Sequence, residues 1–131
     1  MIYLSLLFIV FASICNSIMD TSVHHYSTSV FKNMNPLWWD GEISWKNKYI
    51  DGDSNKGRVK WYFGLNKPVQ LTDAFHFFKM WMIIFICLSI VCFDCYFIKD
   101  TISFLLFFII YGVLWNSSFS LFYNIILKKI K

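Results

Sequence analysis

Residues 102–127, ISFLLFFIIYGVLWNSSFSLFYNIIL, run for 26 positions without a Lys, Arg, Asp, Glu or His. About 20 apolar residues in a helix cross a hydrocarbon layer of ~30 Å. This run exceeds that need, so it is expected to tilt, or to bend near Gly112 or Asn116. Two further apolar runs precede it. Residues 80–98, MWMIIFICLSIVCFDCYFI, carry only Asp94 as a charge, near one end, and Lys99-Asp100 follows as a tight link. Residues 2–19, IYLSLLFIVFASICNSIM, are broken only by Ser5, Ser13, Asn16 and Ser17. The whole chain is 57% hydrophobic and 15% charged. That is more apolar and less charged than a soluble domain of 131 residues can hide from water. The fold class is therefore read as an all-α membrane protein with three transmembrane helices and one ordered Trp-rich cytoplasmic loop. It forms a single membrane domain, residues 1–131, with spans near 2–19, 77–98 and 102–127 and a polar loop over 32–76.

The first run reads as a retained span rather than a signal peptide. No basic residue precedes it, and no A-x-A site follows it. Its helix is expected to pass through Asp20 to about Phe31. The second helix is expected to begin before its apolar run, with Thr72 as N-cap and Asp73 in the first turn, where a carboxylate suits the helix dipole.

The polar region is rich in turn formers, among them Asn33, Asn35, Pro36, Gly41, Gly52, Gly57, Gly64 and Pro68. It also holds Trp38, Trp39, Trp45 and Trp61, too many tryptophans for a disordered linker. Partial alternation over 43–49 and 58–61 points to a hairpin turned by residues 51–57. Asp51-Gly52-Asp53-Ser54-Asn55-Lys56-Gly57 resembles the opening of an EF-hand loop. However, Lys56 stands where the calcium loop needs Gly, and Tyr62 where it needs Glu. A tight turn closed by Asx hydrogen bonds is the better reading.

Charge sets the expected topology. With three spans, residues 32–79 and the C-terminal tail share one side, which carries eight and three of the 12 Lys and Arg residues. The other side carries Lys99 alone. The positive-inside rule then puts the loop and tail in the cytoplasm and the N-terminus outside, in the cytoplasmic (inner) membrane. Cys15, Cys87, Cys92 and Cys95 all lie in apolar runs, unlike a secreted disulfide framework. They are expected to be reduced, buried and inert, although Cys92 and Cys95 form a C-x-x-C.

The residues that point most clearly to chemistry are five. Asp20 and His24 are four apart and share a helical face, and His25 is the next residue round. Asp73 and His76 are three apart and also share a face. Both sets sit where consecutive helices meet one membrane surface. Carboxylate and imidazole together suit Zn²⁺, Mn²⁺ or Fe²⁺. Asp20, His24, His25, Asp73 and His76 are thus candidate ligands of a divalent metal, which would support metal-assisted hydrolysis of a lipid-phase substrate. Two plainer readings stay open: interfacial residues that mark helix ends, and an Asp–His pair that locks helices together.

There is no Gly-rich phosphate loop, no G-x-S-x-G and no H-E-x-x-H. Asn116, Ser117, Ser118 and Ser120 read as contacts between helices. The Lys and Trp mixture of the loop fits anionic lipid headgroups rather than nucleic acid. The expected partners are the bilayer, its anionic headgroups, and a membrane protein or second copy of the chain. Enzyme and non-enzymatic scaffold both remain open.

Ser44-Trp45-Lys46-Asn47-Lys48-Tyr49, Asp51-Gly52-Asp53, Gly57 and Leu71-Thr72-Asp73-Ala74-Phe75-His76 together resemble a family of small uncharacterised bacterial integral membrane proteins. The resemblance covers about residues 16–80. It implies that the Trp loop and the start of the second helix form one unit, and it brings no activity with it.

Overall fold

The computed structural model describes residues 2–93 and 101–128. Asp94, Cys95 and the Lys99-Asp100 link lie outside them. Four α-helices follow in order among the described residues: α1 Ile2–His24, α2 Pro36–Trp39, α3 Ala74–Cys92 and α4 Thr101–Leu121. α4 continues as π-helix over Phe122–Leu127. Three helices, Ile2–His24, Ala74–Cys92 and Thr101–Leu127, are long and apolar enough to cross a membrane. The loop between α1 and α3 is wound largely from short 3₁₀ turns.

Helix directions follow from matched contacts. Ser5 meets Ser89, and Phe8 lies 6.0 Å from Phe85, so α1 and α3 are antiparallel. Ser13 Oγ donates to Trp115 O (2.9 Å) and Ser17 Oγ to Phe119 O (3.2 Å), a constant offset that makes α1 and α4 parallel. α1 is the central helix. Its buried stripe is made of small residues, Ser5, Ala12, Ser13, Cys15 and Ser17 among them. Small side chains let the neighbouring backbones approach closely. No residue of α4 is buried, and Phe104, Phe108 and Ile109 face outward. That surface suits lipid.

The serines also supply hydrogen bonds between helices. Ser5 Oγ donates to Ser89 O (2.6 Å), and Ser89 Oγ returns a bond to Ser5 O (3.0 Å). The Tyr111 hydroxyl of α4 closes on Ser5 Oγ, so three helices meet at one polar knot. In lipid such bonds contribute roughly 0.6 to 2 kcal/mol each. Of the residues of α4 expected as such glue, Asn116 and Ser120 make bonds within their own helix. Asn116 Nδ2 donates to Gly112 O of its own helix, and Asn124 Nδ2 donates to Ser120 Oγ. An amide that reaches its own preceding turn needs no neighbour.

Helix ends differ from expectation in three places. α1 stops at His24 rather than near Phe31, because Thr28 Oγ1 and Ser29 Oγ bond to His25 O and Tyr26 O. Those local bonds compete with helix continuation. Ser29 then pairs with Lys128, and Val30 N donates to Leu127 O (2.9 Å), which ties the far end of the third span to the start of the loop. α3 ends at Cys92, and the remainder of the expected span to Ile98 lies, after Phe93, outside the described residues. The extended Phe93 sets its ring edge-on to Phe107 and Tyr111 of α4, 5.7 and 5.9 Å away. Asp73, not Thr72, is the N-cap of α3. The third span changes at its end, into π-helix, and runs through Gly112 and Asn116 as regular α-helix.

The turn at 51–57 forms without flanking strands. Tyr49 pairs with Arg58, Ile50 N donates to Gly57 O (3.1 Å), and Asp53 Oδ1 accepts from Asn55 N (2.9 Å) as an Asx turn. Ser44–Lys48 is a 3₁₀ turn, which overrides the partial alternation of that stretch. Cys15 and Cys92 are buried free thiols, whereas Cys87 lies exposed on α3.

Thr21 is fully buried on α1, and its hydroxyl has no partner among the described residues. An unsatisfied buried hydroxyl costs about 1–3 kcal/mol. Thr21→Val keeps the shape and deletes that group. It is expected to hold or raise the thermal midpoint in detergent, and a drop equivalent to more than ~1 kcal/mol would show that the hydroxyl is satisfied in solution.

Candidate functional site

The five candidate ligands do not form one cluster. Among the described residues, no group of three or more His, Cys, Asp or Glu side chains could hold a metal ion. Asp20, His24, His25, Asp73 and His76, expected as ligands of one metal, do not come together as such a group. The reason lies in side-chain direction. His25 turns toward the extension of α4, its ring 5.3 Å from Tyr123. Asp20 is within electrostatic reach of the same tyrosine. His24 points another way, into a small cavity of about 100 Å³ shared with Val23, Tyr26, Ser27, Asp40 and Glu42. Asp73 and His76 close on each other instead.

That pair is built from the first turn of α3. Asp73 is 1% exposed and takes an extended backbone before the helix. Its Oδ1 accepts from His76 N (2.9 Å). This is the N-cap bond that satisfies a free helix N–H. The same carboxylate holds His76 Nδ1, 2.8 Å from both oxygens. Thr72 Oγ1 lies 3.0 Å from Asp73 Oδ2. A carboxylate on one ring nitrogen places the proton there and leaves the other nitrogen, Nε2, for a further partner.

His76 is only partly covered, and it lines a cavity of about 340 Å³ with Gln70, Lys79, Met80, Ile83 and Ile84. Positions 76, 79, 80, 83 and 84 follow the three-and-four spacing of one helical face. The histidine was legible in the sequence. The spacing could have found its neighbours on α3, but Gln70 comes from the 3₁₀ turn Val69–Leu71, which periodicity does not reveal. Lys79 Nζ sits 5.8 Å from the centre of the Phe75 ring. That separation is within cation–π range.

The Trp loop packs against this end of α3. Asn47 Nδ2 donates to Thr72 O (3.1 Å) and also reaches Leu37 O. Trp39 stacks on Phe31 at 4.3 Å and stands 6.0 Å from Phe78, while Trp38 lies 6.2 Å from Phe77. One part of the loop stays outside this packing. Lys60 pairs with Asn66, and Trp61 N donates to Leu65 O (2.7 Å), so residues 61–65 form a closed finger. Phe63, at its tip, has φ 55 and is 100% exposed. Tyr62 and Leu65 are also strongly exposed. The sequence marked Trp61 but not this tip, whose signal is an aromatic run ending in Gly64. No protein-family model, no curated protein and no solved structure matches the chain.

Proposed function

We propose that this chain is a non-enzymatic membrane subunit or scaffold whose Trp-rich loop rests on the anionic surface of its own bilayer. The proposed site is the cytoplasmic face of the inner membrane, with the N-terminus outside. The observation that carries the reading is the exposed finger Trp61-Tyr62-Phe63-Gly64-Leu65. Water disfavours so compact an apolar tip, and such patches mark sites of contact with a partner or a membrane. Residues 58–67 carry Arg58, Lys60 and Lys67 and no acidic residue. Arg58 and Lys60 bond to neutral oxygens, the Lys67 carbonyl and the Asn66 amide, so their charge stays available. Aromatic rings beside cations are the composition of the headgroup layer.

Chain length favours the home membrane over a second one. Ala74, where the second span begins, follows Lys67 by seven positions. The chain between them can reach at most about 25 Å. The 3₁₀ turn Val69–Leu71 shortens it. The lopsided distribution of Lys and Arg supports the orientation. The bond from Val30 N to Leu127 O accords with the loop and tail sharing one side of the bundle.

The test uses vesicles of phosphatidylglycerol with brominated acyl chains. Emission belonging to Trp61, taken as wild type minus Trp61→Phe, is expected to be blue-shifted and strongly quenched. Lys60→Gln with Lys67→Gln removes attraction of about 1 kcal/mol per charge. That variant is expected to lose quenching in anionic vesicles and to be unchanged in neutral ones. Emission of Trp61 at the water-exposed wavelength, unquenched in both lipids, would overturn the reading.

A further inference from the structure

The cavity at the head of α3 has a polarity gradient along one helical face. Gln70, His76 and Lys79 stand at the membrane-surface end, and Met80, Ile83 and Ile84 continue into the span. We infer that this cavity binds one anionic phospholipid whose headgroup carries a free hydroxyl, of the phosphatidylglycerol type. The inference rests on the chain being embedded in a bilayer but not on the finger.

Lys79 matches the phosphate. It is exposed at the cavity wall, one turn beyond His76, and its range is narrowed by the Phe75 ring. A lysine ammonium is a compact point charge with three donors, suited to a phosphate oxygen. His76 selects the headgroup. Asp73 holds Nδ1 and fixes the proton there. In its neutral form that ring offers Nε2 as an acceptor, and an acceptor calls for a donor on the ligand. A glycerol hydroxyl supplies that donor, and the Gln70 amide can bond to either partner. A choline headgroup has no such donor. Phosphatidic acid has the anion without the glycerol hydroxyl. Met80, Ile83 and Ile84 then lie along the start of an acyl chain. The cavity, at about 340 Å³, is large enough for a headgroup and the first carbons of a chain. Volumes of a few hundred cubic ångströms are usual for ligand sites.

The experiment titrates the full chain in detergent with dioleoyl phosphatidylglycerol, phosphatidic acid or phosphatidylcholine and reads bound lipid by native mass spectrometry. Phosphatidylglycerol is expected to bind about tenfold more tightly than phosphatidylcholine, the ratio that one added hydrogen bond, from the glycerol hydroxyl to His76, supplies. Lys79→Ala, at an exposed position, is expected to weaken binding of all three lipids about tenfold, by loss of a charged hydrogen bond to phosphate, while the fold persists. His76→Phe keeps a ring and removes Nε2, and it is expected to abolish the preference for phosphatidylglycerol over phosphatidic acid. Equal binding of the three lipids to wild type, or binding that Lys79→Ala leaves unchanged, overturns the site. A glycerol preference that survives His76→Phe overturns the headgroup assignment. Finger quenching can fail without altering any of these outcomes.

Discussion

Asp73→Ala is expected to lower stability by about 2–5 kcal/mol, measured as a fall in the thermal midpoint of the detergent-solubilised protein. Two losses combine. Removing an N-cap acceptor costs roughly 0.5–2 kcal/mol. A hydrogen bond to a charged group contributes about 1.5–3 kcal/mol. The carboxylate makes such a bond with His76 Nδ1. The site has no water to take over, since Asp73 is 1% exposed. Asp73→Asn retains an oxygen for His76 N but offers fewer acceptor pairs. Its loss is expected to be about half as large. If the alanine variant melts within ~0.5 kcal/mol of wild type, the N-cap and the His76 bond are not both present in solution.

Gly41→Ala tests a different joint, between the loop and α1. Asn35 caps α2 by accepting from Leu37 N (3.0 Å), and Pro36 opens the helix. Proline suits that first position because its φ is preset. The chain then folds back on α1. Gly41 N donates to Ser22 O (3.0 Å). That oxygen is one of the carbonyls left open at a helix end. A Cβ on Gly41 would sit 2.9 Å from Val23 Cα, which is backbone and cannot rotate away. Overpacking of this kind costs about 1–3 kcal/mol. The loop is expected to lift from α1, and limited proteolysis should cut residues 32–73 faster while the three spans stay intact. A variant as resistant as wild type would place Gly41 away from Val23. Gly57 and Gly64 are useful controls for space, since a Cβ there meets nothing within 4 Å. Both have positive φ, so alanine there brings backbone strain without a clash.

These two joints explain how much of the site was legible. Asp73 and His76 could be paired from their spacing, because three residues on a helix share a face whatever surrounds it. The same rule paired Asp20 with His24. It said nothing about whether the two pairs face each other. That depends on the rotation of α1 about its axis, and the structure turns His25 to Tyr123 and His24 toward Asp40 and Glu42. Ser5, Ser13 and Ser17 read only as interruptions in an apolar run. Their use became visible once Ser89, Tyr111, Trp115 and Phe119 stood across from them.

The three spans and their order were determined by composition alone. A run such as residues 102–127 has no charge to hide. In lipid a helix satisfies its own backbone, so no neighbour is needed to predict it. Which helix is central, where the Asx turn and finger stand, and which polar side chains meet were decided by tertiary structure. A membrane helix is apolar on its lipid face and apolar on its protein face, so hydrophobic periodicity carries no phase from which to read its rotation. Small and polar residues set that rotation through close contact, and contact exists only once the helices are packed.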